Sequence, residues 1–513
     1  MSRWLLLAVL AAPLFAADFT NEPRAPFVSV GKIDDLVFGR WKQLGIQPAD
    51  LSSDAVFLRR AYLDTIGTLP TAKEAAAFLA DTGPRKRAAL IDRLLARDEF
   101  TDYWAMKWSD LLRVKAEFPV NLWPNAAQAY YHWIHTAIRT NLPYDQFART
   151  LLTESGSNFR NPPVNFYRAM QNRKPAGIAQ TVALTFMGMR AETWPKDRLD
   201  AMANFFSEVG YKDTGEWKEE IVFFKPATAT PSELMFPDGT QVHLAPGQDP
   251  RQLFADWLVA PKNPYFARAV VNRIWFWLNG RGIVEEADDL RPDNPPSNPE
   301  LLAYLESELI ASHFDLKHIF RLILNSTTWQ LSSIPRTATA EAAANFASYP
   351  LRRLDAEVLI DALSQISGLG ESYTSSIPEP ITFMPDNQRA IALPDGSISS
   401  SFLELFGRPP RDTGLESERN NRFTDAQRLH LLNSTQIQRK IQQGPKVQAL
   451  MREYRGKPQE LVQQLYLTIL SRYPTADEFK LVAAHSQAGV AGAQAVQDLA
   501  WALVNSTEFL FRH

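Results

Sequence analysis

The 513-residue chain contains no cysteine. Disulfides, thiolate metal ligands, a cysteine nucleophile and covalent haem attachment are therefore excluded, and stability has to come from packing. A surplus of positive charge is also missing. The formal net charge is -3 and no Lys/Arg run is long enough to form a local patch, which argues against nucleic acid or an anionic membrane as partner. Beyond residue 17, no window holds the roughly 18 uninterrupted apolar residues that a membrane-spanning helix needs. GxSxG, HExxH, a Walker loop and GxGxxG in its proper context are absent too, so no motif names a reaction or a catalytic residue.

What remains is the composition of a globular protein: 45% hydrophobic and 22% charged residues. A chain of this length buries roughly 70% or more of its unfolded surface and divides into two to four domains. Thirteen Trp and 30 Phe are many. Bulky filling between packed helices is the first reading, and sugar-stacking platforms are the alternative.

Residues 1–17, MSRWLLLAVLAAPLFAA, carry Arg3, then an apolar run to Phe15, then small residues, the pattern of a secretory signal. The expected location is exported, either periplasmic or extracellular and envelope-associated. A leader and first helix fill 18–53, and an N-terminal helical region spans 54–215. In the latter, AVFLRRAYLDTIG forms a helix with Val56, Ala61 and Leu63 or Tyr62 inward. Thr71 and Glu74 form a capping box after Pro70. The pattern predicts helices over 176–189 and 198–209. In 216–248 the period changes, and EEIVFFK, PSELMF and QVHL predict a small β insertion. A second helical region takes 249–513. It includes a helix over 351–368 with Leu351, Leu354, Val358 and Leu359 inward, followed by a Ser/Pro/Gly-rich loop over 369–424. The fold class is thus mainly α: multi-helical, with two helical regions and a small β insertion near 217–245.

One phrase recurs. AYLDTIGTLPTAKE at 61–74 matches LYLTILSRYPTADE at 465–478, and each copy leads to a similar ending, LLARDEF at 94–100 and LVNSTEF at 503–509. LILNSTTW at 322–329 is a looser third echo. A recurring helical hairpin is the expectation.

Polar residues that can carry chemistry gather in two places. Near the centre, an aromatic helix with Val270, Ile274, Trp277 and Leu278 at helical spacing stops at Gly280 and Gly282 and gives way to a charged loop. Arg273, Arg281, Asp288, Asp289, Arg291 and Asp293 are brought close there. In the second half, Arg352, Arg353, Asp355 and Asp361 on one helix face Arg408, Arg411, Glu416, Glu418 and Arg419 on the long loop. Arginine forks pair bidentately with carboxylates, so this set either clamps the loop to the helix or forms an anion- or partner-binding surface. Glu416 and Glu418 also raise the two-carboxylate arrangement of glycoside hydrolysis. Metal candidates are His132 with His135 on one helix face, and Asp288, Asp289 and Asp293 as hard oxygen donors for Ca²⁺. Self-neutralised ion pairs and hydrogen-bonded histidines are the competing readings, and no cofactor is predicted.

Several long phrases in order resemble a known pair of families. FLRRAYLD, LPTAKEAAAFLAD and WAMKWSDLLR resemble the planctomycete cytochrome C domain family (domain of unknown function 1549). NRIWFWLNGRGIV, PPSNPELLAYL, LRRLDAEVLIDAL, FLELFGRPPR and DLAWALVNSTEFLF resemble its companion, domain of unknown function 1553. The resemblance implies an exported, largely helical bacterial protein without established activity, often accompanied by an exported sulfatase-like partner. Relatives commonly carry a Cys/His haem-attachment segment where this chain reads GMRAETWPKDRLDAMANFF, and cysteines where it has Leu415 and Ser417. The sequence thus leads to a non-catalytic binding or assembly partner of another exported protein. An enzyme acting on extracellular or envelope polysaccharide is the first alternative, and a redox protein with a noncovalent cofactor the second.

Overall fold

The computed structural model describes residues 28–226, 231–487 and 492–513; the signal read at 1–17 lies outside them. The architecture is mainly helical, with sheets of only two or three strands. Local chemistry sets the helix ends. Thr71 Oγ1 accepts from Glu74 N–H at 3.2 Å while Glu74 Oε2 accepts from Thr71 N–H at 2.8 Å, and Thr475 with Glu478 repeats both bonds at 3.2 and 2.7 Å.

The two copies of the recurring phrase are built alike. The Asp54–Ile66 helix ends on left-handed Gly67, and the Pro458–Leu470 helix ends on left-handed Ser471. In the first copy Arg97 joins Glu74 at 2.9 Å and Glu99 at 2.5 Å beside the Tyr62 ring. In the second, Arg472 joins Glu478 at 2.8 Å and Glu508 at 2.7 Å beside the Tyr466 ring. The arginine comes from a different place in the phrase, yet it pins the same two carboxylates to the same tyrosine. The third echo shares only its ending: Ser326 Oγ accepts from Trp329 N–H, as Ser506 Oγ does from Phe509 N–H, both at 3.2 Å.

A single apolar core runs through both halves, from Ile33 to Leu510. Aromatic rings fill it. Trp104 lies 5.2 Å from Trp277 and 4.4 Å from Phe320, and Trp108 meets Trp277 edge-on at 5.8 Å. Each such pair contributes about 0.5–1.5 kcal/mol beyond area burial. Two buried arginines fasten the first half to the chain end. Arg59 donates to the carbonyls of Ile469 and Phe509, both at 2.9 Å, and Arg60 to those of His513, Trp329 and Leu331 at 2.7–2.9 Å.

Several sequence expectations are corrected. Val56 is half-buried, and the inward face begins at Phe57. The 198–209 helix is Lys196–Ala203 followed by a 3₁₀ turn, because Val209–Asp213 is already a strand; it pairs with Glu220–Phe224, which also pairs with Gly156–Ser157. The expected strands near 233 and 241 form a separate hairpin. The helix expected over 351–368 begins at Ala356. Arg352–Arg353 instead form a two-residue strand against Phe511–Arg512, Leu354 N–H donates to Leu510 C=O, and Leu351 is exposed. Pairing with the distant chain end overrides local helical spacing there.

Candidate functional site

That short strand pair forms one wall of a cleft of about 740 Å³ between the Asp98–Leu111 helix, the C-terminal end of the Phe266–Asn279 helix and the 415–423 segment of the long loop. Asp355 is the hub of its floor. Its Oδ2 accepts from Tyr103 Oη and Lys107 Nζ, both at 3.0 Å, and from Arg512 Nη2 at 3.1 Å; its Oδ1 accepts from Asn421 Nδ2 at 2.7 Å. Burial pushes this carboxyl up, but Lys107, Arg512 and Arg419 outweigh burial and hold it well below the usual aspartate range. Arg512 also lies 3.0 Å from Asp64, whose Oδ2 accepts from Tyr349 at 2.7 Å.

Behind the hub, Arg419 forms a bidentate fork with buried Glu357, at 2.7 and 3.1 Å, and reaches Asp110 at 2.6 Å. Arg411 joins the same Asp110 at 2.9 Å, and Arg408 lies 3.6 Å from Glu357 while donating to the carbonyls of Ile398 and Asp395. The loop is therefore clamped onto both halves of the chain. Arg353 is satisfied by the carbonyls of Phe406, Asn420 and Leu354. Arg352 caps the aromatic helix by donating to the carbonyls of Trp277 and Leu278, both at 2.9 Å, where a cation also suits the helix dipole. It lies over Gly280, which has φ +71°; a Cβ there would come within 2.5 Å of Arg352 Cδ.

Glu416 faces the cleft from the opposite wall. Its Oε1 accepts from the Trp277 indole at 2.8 Å, its backbone N–H donates to Asp288 Oδ2 at 2.8 Å, and Arg273 Nε lies 3.7 Å away. Burial, reinforced by Asp288 and opposed by Arg273 and Lys107, pushes its carboxyl up to about 7. Lys107 is lowered by burial and by the neighbouring Arg419 and Arg512. Six cationic side chains (Lys107, Arg352, Arg353, Arg419, Arg422 and Arg512) and two carboxylates (Asp355 and Glu416) line the cleft. Arg422 is exposed, and its guanidinium makes no hydrogen bond or ion pair with the described residues.

Of the residues singled out in the sequence, Arg352, Arg353, Asp355, Glu416 and Arg419 line this cleft, and Arg408, Arg411, Arg273 and Asp288 support it from behind. The central set does not converge as a whole. Arg273, fully buried, pairs with Asp288 at 2.8 Å, whereas Asp289 and Asp293 pair with Arg291 at the surface, at 2.8 and 3.3 Å, and Arg281 joins neither group. Glu418 differs from Glu416 in role: its carboxylate accepts from the backbone N–H groups of Asp412 and Thr413. Asp361 accepts from the N–H groups of Ala390 and Ile391. His132 bonds the Gln128 carbonyl and His135 bonds Asp102. Among the described residues, no group of three or more His, Asp and Glu side chains is placed to hold a metal ion.

Tyr103, Lys107, Asp110, Glu357 and Arg512 were not apparent as site residues. Their signal was a charge set among apolar neighbours: Lys107 and Asp110 interrupt the aromatic run DYWAMKWSDLL, and Glu357 interrupts DAEVLIDAL.

Comparison with known families gives two matches in order. Residues 32–205 match PSCyt2, a protein family of unknown function (DUF1549), and residues 250–486 match PSD1, also of unknown function (DUF1553). No curated protein and no solved structure matches the chain. Lys107 and Tyr103 enter the cleft from the first matched stretch, Arg352, Asp355, Glu416 and Arg419 from the second, and Arg512 from beyond both.

Proposed function

For a chain that joins DUF1549 and DUF1553 in that order, we propose an exported protein that binds rather than transforms, docking an acidic segment of another exported protein into the cleft between its halves. The cationic surplus of that cleft carries the reading. Four of its five arginines, Arg352, Arg353, Arg419 and Arg512, are already fixed by carbonyls and carboxylates, so little ordering of them is left to the moment of binding, while Arg422 and two of the three Lys107 N–H donors remain for a ligand. The signal-like residues 1–17 support export, and a sulfatase-like protein is the partner that the family resemblance suggests. A labelled hexaglutamate peptide, titrated by fluorescence anisotropy, tests the docking. It should bind the intact mature chain and lose affinity at least tenfold with Arg422→Glu, a surface change that leaves the fold alone. Equal binding by the variant overturns the assignment, and an unprocessed N-terminus in the cytoplasmic fraction overturns export.

A second reading has one observation in its favour. The cleft holds a carboxyl pushed up to about 7, Glu416, opposite one kept ionised, Asp355, and environments that drive a pair of carboxyl groups apart in this way serve acid/base chemistry on sugars. Release of reducing ends from an acidic polysaccharide, abolished by Glu416→Gln, would establish it.

A further inference from the structure

We propose that Glu416 is the proton-bearing wall of the cleft: a bound oxyanion is held by its carboxyl in the neutral form, so that binding takes up a proton. The inference rests on the anion-docking reading and adds what the ligand must accept and how pH governs it.

The geometry comes first. Glu416 is fixed at two points, Oε1 by the Trp277 indole and the backbone N–H by Asp288, and the clamp of Arg419 on Glu357 holds the loop around it. Oε2 has no hydrogen-bond partner among the described residues, on a side chain that lines the cleft and keeps 14% of its surface exposed. An oxyanion only accepts, and an ionised carboxylate only accepts; the two repel. A neutral carboxyl whose Oε1 is already occupied as an acceptor presents Oε2–H as a donor. With that proton in place, Glu416 adds a donor to those that Lys107, from the Asp98–Leu111 helix, and Arg422, from the same loop as Glu416, bring to the cleft.

The surrounding charges agree. The Phe266–Asn279 helix brings Arg273 and the acid-rich loop brings Asp288; the Asp98–Leu111 helix brings Lys107 and Asp110. Arg352 lines the cleft from the short strand and Asp355 from the N-terminal cap of the Ala356–Ser367 helix, Arg419 and Arg422 from the loop of Glu416 itself, and Arg512 from the chain end. Burial is the largest influence, Asp288 and Asp110 add to it, and Arg273 and Lys107 oppose it. The balance places the proton exchange in the neutral range, where a bound anion pulls it further toward the protonated form by linkage.

Sulfate is the probe, because it stays fully ionised between pH 6 and 8 and any pH dependence belongs to the protein. Titration calorimetry of the intact mature chain should show sulfate affinity falling about tenfold from pH 6 to pH 8, as expected for one carboxyl exchanging near pH 7. Glu416→Gln, which keeps an N–H donor and cannot titrate, should bind sulfate equally at both pH values and at least as tightly at pH 8 as the parent does. Arg422→Glu should weaken binding at both, placing the ion in the cleft. A parent chain whose affinity is flat across this range, or a Gln variant that keeps the slope, overturns the role of Glu416 while leaving the docking reading intact. Sulfate binding that is unchanged by Arg422→Glu, or absent at every pH, overturns the docking reading itself.

Discussion

The acid-rich loop at 285–293 and the cleft around Asp355 draw on the same side chains and differ in how much water they keep. In the loop, Arg291 is 45% exposed between Asp289 and Asp293, and Glu286 is 66% exposed where it meets Arg190. At the cleft, Asp355 on its floor and Glu357 behind it are 1% and 0% exposed. Ion pairs in the first setting are worth about 0–1 kcal/mol. Removing one partner in the second strands a charge that has lost its hydration, at a cost of about 3–5 kcal/mol. The contrast teaches that charge density in a sequence does not locate a site; desolvation of the charges does.

The widest break in this comparison should come from Arg419→Ala. It leaves Glu357 and Asp110 without their shared partner, and denaturant unfolding should show a loss of about 3–5 kcal/mol.

Glu416→Gln tests the same burial with the opposite sign. A carboxyl raised from 4.5 to about 7 favours the fold when protonated, a contribution present in full below pH 4.5 and lost as pH rises through 7. The Gln variant should therefore exceed the parent by up to about 3 kcal/mol at pH 8 and match it near pH 4.5, read from unfolding midpoints at the two pH values.

Gly280→Ala forces a side chain into left-handed backbone against Arg352, and should lower stability by about 1–2 kcal/mol in thermal unfolding. Arg291→Ala, at the solvated end of the comparison, should change the unfolding midpoint by less than about 0.5 kcal/mol. A loss at Arg291 as large as that at Arg419 would erase the distinction.

Much of the scaffold was legible because its signals are local. The capping boxes at Thr71 and Thr475 act over three residues, and the repeat around them announces itself by identical spacing. The clamp of the long loop was legible as one of two readings of Arg408, Arg411 and Arg419, since arginine forks pair bidentately with carboxylates; an anion- or partner-binding surface was the other. The partners of that clamp were not. Lys107 meets Asp355 across 248 residues and Arg411 meets Asp110 across 301, separations at which no periodicity speaks. The same holds for Arg352 and Arg353: their spacing suits a helix, and only the return of Phe511 and Arg512 makes them a strand. Glu416 looked like one acid among many until the fold set it against Trp277 and Asp288.

That the cleft receives an anion is the claim on which the rest depends, and its position can be seen directly. Crystals of the mature chain soaked in tungstate at pH 6 should show an anomalous peak between Lys107, Arg422 and Arg512, facing Glu416. Tungstate bound only at surface lysines away from the cleft, with the cleft empty, would contradict the account.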